Sequence, residues 1–257
     1  MSRPVRTSVA HPAYWAPVLV LLVVLGVLWQ LGAHRMPYLL PPLPDVWSAL
    51  KGDPGYFLHN SWVTLREALL GLVIGFVAAF SLAILISEVN IARRAVMPVA
   101  VVLNVTPLVA IAPALVVAFG FGPAPKLILT ALICFFPILI NASVGLRSVP
   151  VPVLQVFRSV HASRWEVLRH LRIPGSLEYV FAALQIVFPL SIVGAVVAEL
   201  SAAGSADGLG TVIQVASSMN RLATVWAAIF VLALMGSLLL LLVTVVERRA
   251  LRWHGSR

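Results

Sequence analysis

The chain has 257 residues, of which 61% are hydrophobic and 11% charged, and its mean hydropathy is +1.01. This excludes a soluble globular domain and a disordered chain, and it marks an integral membrane protein. A formal net charge of +9 does not argue for nucleic acid, because the basic residues are distributed as membrane topology requires.

Continuous apolar runs of about 20 residues, enough for a helix to cross a hydrocarbon core of about 30 Å, predict six spans near 14–32, 62–87, 95–119, 126–146, 177–203 and 223–246. Helices are preferred to a barrel, since the runs are unbroken and backbone groups in lipid must pair within their own segment. Arg3 and Arg6 precede the first run as in a secretory signal, but an apolar stretch near twenty residues fits an uncleaved anchor better. Residues 1–61 then form a tail, the first span and a Pro-rich outer loop, 62–250 a transmembrane core with a cytoplasmic loop at 147–176, and 251–257 a basic tail. Pro41, Pro42, Pro44 and Pro54 leave room for at most one short helix in the outer loop, where Trp47, Tyr56, Phe57 and Trp62 suit a membrane interface.

With six spans both termini share one side. Thirteen of the eighteen Lys and Arg fall there, from Arg3 and Arg6 through Arg93, Arg94 and Arg147 to Arg257, while Arg35, Lys51, Arg66, Lys126 and Arg221 fall on or near the other. The positive-inside rule predicts cytoplasmic termini. The lone Cys134 lies within an apolar run and excludes an intrachain disulfide.

Catalytic motifs are missing: there is no phosphate-binding G-x-x-x-x-G-K-[ST], no H-E-x-x-H and no G-x-S-x-G, and the six His are scattered through what read as loops and termini. No catalytic residue, metal site or cofactor is expected. Pro98, Pro107, Pro113, Pro137 and Pro189 interrupt spans three to five, and around them lie Asn104, Thr106, Asn141, Gln185 and Ser191. Carbonyls freed by intramembrane prolines are tolerated in buried or water-lined positions, so these polar residues are candidates for a translocation path, or simply bond neighbouring helices. Glu199 joins them, either lining a gate or lying solvated at the outer end of its span.

Between the fourth and fifth spans, "VFRSVHASRWEVLRHLRIPGSL" (156–177) carries Arg158, Arg164, Arg169 and Arg172. Phe157, Val160, Trp165, Leu168 and Leu171 recur at helical spacing opposite Arg158, Glu166, Arg169 and Arg172, with Pro174 ending the run. The pattern predicts one amphipathic helix, lying either on an anionic membrane surface or in a groove of a cytoplasmic partner.

"LLPPLPDVWSAL", "LHNSWVTLREALLGLVIGF", "VTPLVAIAPALVVAFGFGPAPKLILTALICFFPILINASVGLRSV" and "VVAELSAAGSADGLGTVI" together resemble, in order and spacing, the permease subunit of an ATP-binding cassette importer. The resemblance is to the branch handling nitrate, aliphatic sulfonates, taurine and pyrimidine precursors. It implies an all-α permease of the type I importer fold that is not itself catalytic. Its implied partners are a cytoplasmic ATPase dimer, a second permease copy or paralogue, an extracytoplasmic solute-binding protein and the lipid bilayer.

The resemblance also makes the 147–176 loop the site of ATPase coupling, through Phe157, Arg158, His161, Ala162, Ser163, Arg164, Trp165, Leu168 and Pro174. Gln155, Val156 and Phe157 stand where the family has Glu-Ala-Ala, and His161 where it has Gly, while Ala162 to Trp165 and Pro174 keep the pattern. Either a second permease carries the intact motif or the ATPase groove has changed to match. A secondary transporter or channel working without nucleotide is the alternative, but Glu199 is nearly alone as an intramembrane carboxylate. "FGFG" at 119–122, beside Pro123 and Pro125, reads as an outer turn and not as a filter.

Overall fold

The computed structural model describes residues 12–201 and 207–251, which form helices and short connections. Arg3, Arg6, His11, Arg252, His254, Arg257 and the stretch 202–206 lie outside the described residues. In chain order the helices are α1 (Pro12–Arg35), α2 (Leu43–Gly52), α3 (Pro54–Glu88), α4 (Asn90–Val105), α5 (Ala112–Phe119) and α6 (Pro123–Gly145). They continue with α7 (Val151–Ser159), α8 (Arg164–Val167), α9 (Ile173–Ser201), α10 (Leu209–Ser218) and α11 (Leu222–Ala250). A 3₁₀ turn at Leu108–Ile111 leads into α5, and a π-helical turn at Leu168–Arg172 joins α8 to α9. Among the described residues five segments are long and apolar enough to cross a membrane, or six if the bent pair around Pro107 is one span.

Three expectations change on folding. The second span begins at Pro54 and not near residue 62, because the Asp53 carboxylate accepts the Tyr56 N–H at 2.9 Å and Pro54 occupies the first turn, where its missing N–H costs nothing. The third span is not one helix. Its halves meet at 82°. Pro107 cannot donate and biases Thr106 to an extended conformation (φ −69°, ψ 135°), whereas Pro98, Pro137 and Pro189 sit inside helices that continue.

The third change concerns 156–177, which is two helical pieces and not one. The α7 helix closes by a Schellman motif: the Ala162 N–H reaches the Phe157 carbonyl and the His161 N–H the Arg158 carbonyl, both at 3.0 Å. His161 takes the left-handed conformation this closure needs, φ 55°. Ser163 then starts α8 with a capping box, accepting the Glu166 N–H while Glu166 Oε2 accepts the Ser163 N–H at 2.7 Å. Pro174 does not end the run. In the π turn the Ile173 N–H bonds five residues back to the Leu168 carbonyl, so the helix changes register before a proline that could not donate and continues to Ser201.

The bundle is organised around α6, which packs between α3 and α9. Small residues set the separation. A Cβ on Gly71 would lie 2.5 Å from Thr130 Cβ, and one on Gly75 2.6 Å from the Ala131 carbonyl oxygen, so α3 and α6 touch backbone to backbone. Ala79, Ala83, Cys134, Ile138, Leu139, Ala142, Ala183 and Val187 fill the interior behind them. By contrast α1 exposes almost all its aliphatic side chains, Val18 to Leu31, as a lipid-facing helix does. It meets the bundle through Trp29, edge-on to Trp226 at 4.6 Å and hydrogen-bonded to the Pro41 carbonyl at 3.0 Å.

Candidate functional site

Polar residues gather at the two ends of the bundle. At the end where α9 finishes, Glu199 is 0% exposed, enclosed by α3, α9 and the start of α10. Burial of a carboxylate requires compensation, and the structure supplies it locally. Thr64 on α3 donates its hydroxyl to Glu199 Oε1 at 2.7 Å, and the Gly210 N–H donates to Oε2 at 2.6 Å. The Thr64 oxygen also accepts the Leu209 N–H at 2.8 Å, and Asn60 Oδ1 accepts the Gly208 N–H at 2.8 Å. Three successive N–H groups at the α10 N-terminus, free because no preceding turn receives them, are thereby tied to α3 and α9.

Gly208 is required twice over. Its φ of 119° with ψ of 152° is open to glycine alone, and a Cβ there would fall 2.4 Å from the Glu199 carboxyl carbon. Glu199 is therefore not solvated at the outer end of its span. It is the hub of a buried lock.

Beside this lock Lys126 of α6 and Glu67 of α3 form a buried ion pair at 2.8 Å, with the lysine 4% exposed. Glu67 Oε2 makes no hydrogen bond among the described residues. The sequence placed Lys126 at the outer end of a span and Glu67 one turn into another, but only the α3–α6 contact makes them partners.

The opposite end holds the basic loop. Arg172 Nη1 bonds Glu88 at the end of α3 (2.5 Å), and Arg147 Nη1 donates to Asn90 Oδ1 at 3.1 Å. Between the α7–α8 hairpin and the end of α3 lies a cavity of about 290 Å³ lined by Glu88, Leu154, Arg158, Ala162, Arg164, Val167 and Arg172. The hairpin presents Trp165, 64% exposed, together with exposed Val151, Val156 and Val160. Of the residues expected to couple, Phe157 and Pro174 are half-buried, Arg158, His161, Ser163 and Arg164 are exposed, and Leu168 is buried against the bundle.

The remaining path candidates are dispersed. Asn104 is exposed and Thr106 half-buried at the bend after α4, with the Thr106 hydroxyl on the Val102 carbonyl at 3.0 Å. Asn141 bonds the Pro137 carbonyl at 2.8 Å, capping an acceptor near the proline in α6. Gln185 donates to Glu247 of α11, and Ser191 is buried with its hydroxyl on the Phe188 carbonyl at 2.7 Å. None of these five lines the cavity beside the hairpin. His34, His59 and His170, expected in loops, lie on helices.

A multi-pass helical bundle with a basic hairpin at one end and a polar lock at the other suits a membrane transport component, and comparison with known proteins identifies its family. The chain belongs to the family of binding-protein-dependent transport system inner membrane components, whose family model matches residues 71–252. It is 32% identical over 252 residues to the riboflavin transport system permease protein RibX of Chloroflexus aurantiacus, covering 95% of this chain and 92% of the relative. It is 30% identical over 238 residues to the formylaminopyrimidine transport permease protein ThiX of Halalkalibacterium halodurans, covering 91% and 94%. The fold is similar to a chain of the MetNI methionine ABC transporter in an inward-facing conformation, with a TM-score of 0.64 at 17% identity over 74% of this chain and 93% of that one. The type I importer permease fold expected from the sequence is the fold observed.

Proposed function

We propose that this chain forms half of the translocation path of an ATP-driven importer and passes the ATPase stroke from the α7–α8 hairpin to the outer lock at Glu199. The observation that carries this reading is one continuous helical segment, Arg164–Ser201 of 38 residues, with exposed Trp165 near one end and buried Glu199 near the other. A helix of that length spans about 57 Å at 1.5 Å per residue, longer than the bilayer core. A shift of the hairpin therefore reaches the α10 N-terminus through rigid backbone, with Arg172–Glu88 drawing α3 along.

In this reading a cytoplasmic ATPase dimer docks on Phe157, Arg158, His161, Ala162, Ser163, Arg164 and Trp165, while Leu168 and Pro174 seat the hairpin on the bundle. A second permease copy or paralogue completes the path, and a binding protein delivers solute on the other side. Both termini are cytoplasmic, since the basic ends of α4, α6, α9 and α11 share that side. Asn104, Thr106 and Asn141 are the path residues, while Gln185 ties α9 to α11, Glu199 ties α9 to α3 and α10, and Ser191 turns back on its own helix. The solute is small, either pyrimidine-like or a sulfonate- or nitrate-like anion.

The test is capture of the partner ATPase by the purified chain in lipid nanodiscs, with wild type compared to a Val156→Ala/Trp165→Ala variant. Both side chains are exposed, so thermal unfolding should be unchanged while capture and ATP hydrolysis drop about tenfold, the size expected for loss of one aromatic anchor at an interface centre. Unchanged capture would remove the hairpin from the docking surface.

A further inference from the structure

A second polar cavity, of about 390 Å³, lies between the ends of α4, α6 and α9 on the hairpin side of the bundle, apart from the docking surface. Its walls carry Arg93, Arg147 and Tyr179, with Ser143, Ser148, Met97 and Val144 completing the lining, and none of these is a carboxylate. Arg147 gives one N–H to Asn90 Oδ1, a neutral acceptor. The side chains of Arg93 and Tyr179 make no hydrogen bond to another described residue. The two serine hydroxyls are already donated, Ser143 to the Leu139 carbonyl at 2.6 Å and Ser148 to the Gly145 carbonyl at 2.8 Å. Among the residues lining the cavity, the donors left without a protein acceptor are those of Arg93 and the Tyr179 phenol, with Arg147 only partly engaged.

That balance differs from the neighbouring cavity, where Glu88 meets Arg172. Two like charges sharing a space without a counter-charge raise each other's energy, and a tetrahedral or trigonal oxyanion removes the repulsion while accepting forked N–H bonds. The volume lies in the range of small-ligand sites and leaves room for such a group and the first atoms attached to it.

We propose that this cavity is an oxyanion site that takes a phosphate-, sulfate- or sulfonate-type group on Arg93, Arg147 and the Tyr179 hydroxyl. Two sources offer the same chemistry: the headgroup of an anionic phospholipid, entering from the bilayer past half-exposed Val144, or a free oxyanion from the aqueous side. The site does not depend on ATPase docking, so its fate and that of the importer reading can be told apart.

The test uses the full purified chain with two probes, radiolabelled sulfate at equilibrium and phosphatidylglycerol retained through delipidation, read by native mass spectrometry against phosphatidylcholine. Wild type should bind at least one probe saturably. An Arg93→Gln/Arg147→Gln variant should bind it at least tenfold more weakly, while Tyr179→Phe and Arg147→Lys, which keeps the charge but loses the fork, should fall between. Sulfate binding alone assigns the site to a free oxyanion, and selective phosphatidylglycerol retention alone assigns it to a headgroup. Should the double variant unfold, Arg93→Gln by itself, at an exposed position, must weaken the probe at least threefold. Binding of neither probe by wild type, or binding indifferent to the variants, would overturn the proposal.

Discussion

Thr64 and Glu199, 135 positions apart in the chain, are joined by a 2.7 Å hydrogen bond in which the threonine is donor, and the same threonine oxygen accepts the Leu209 N–H. Each partner depends on the other. Thr64→Val keeps the shape but strands a buried N–H and one carboxylate oxygen at once, so it should destabilise the chain by about 2–6 kcal/mol, at about 1–3 per unsatisfied buried group. Glu199→Gln should cost less if its carbonyl faces the Gly210 N–H, since the amide can still donate toward Thr64. Thermal unfolding in detergent orders the two variants, and equal stability to wild type in both would dissolve the lock.

The Glu67–Lys126 pair offers a sharper test, because both charges are buried in one contact between α3 and α6. Removing one partner leaves an uncompensated charge, which in buried pairs costs about 3–5 kcal/mol, whereas replacing both by apolar residues is often neutral or better. Lys126→Met should therefore be severely destabilised, and Glu67→Leu/Lys126→Met should recover most of the loss. A double variant as unstable as the single one would show that the pair is held for some reason other than charge balance.

Gly75→Ala tests the close packing of α3 on α6. The added Cβ would sit 2.6 Å from the Ala131 carbonyl oxygen, which is backbone and cannot turn aside. Overpacking of this kind costs about 1–3 kcal/mol. Gly26→Ala on lipid-facing α1 meets nothing within 4 Å and serves as the control, since it should be neutral or slightly stabilising.

His161 occupies a left-handed position at φ 55°, where a side chain costs about 1–2 kcal/mol that glycine avoids, less what glycine's greater chain entropy takes back. His161→Gly should leave the chain as stable or up to about 1 kcal/mol more stable, and His161→Val should be clearly worse. If both variants unfold alike, the backbone of this turn is not what limits the position.

Amphipathic periodicity in residues 156–177 predicts one helix where the fold has two pieces. His161 stands where the resembled family has Gly, and its backbone takes a left-handed turn of the kind glycine adopts cheaply. Ser163 and Glu166 stand at capping-box spacing, a local signal for a new helix that outweighs the amphipathic periodicity running through it. Trp165 and Leu168 look equivalent on a helical wheel, yet one is 64% exposed and the other 5%. The difference lies in the bundle that the hairpin leans on, which a one-dimensional pattern does not contain.

By itself the sequence determined what depends on local composition. Its apolar runs fix the helices and their membrane setting, because an unpaired peptide group in lipid has no alternative partner. Its prolines and caps mark most helix starts. Tertiary structure alone decided which polar residues meet. Glu67 found Lys126, Glu88 found Arg172, and Glu199 became a buried hub and not a solvated end, because each pairing is made by packing elements far apart in the chain. The burial of a charge is a property of everything around it, and no residue carries that information in its own name.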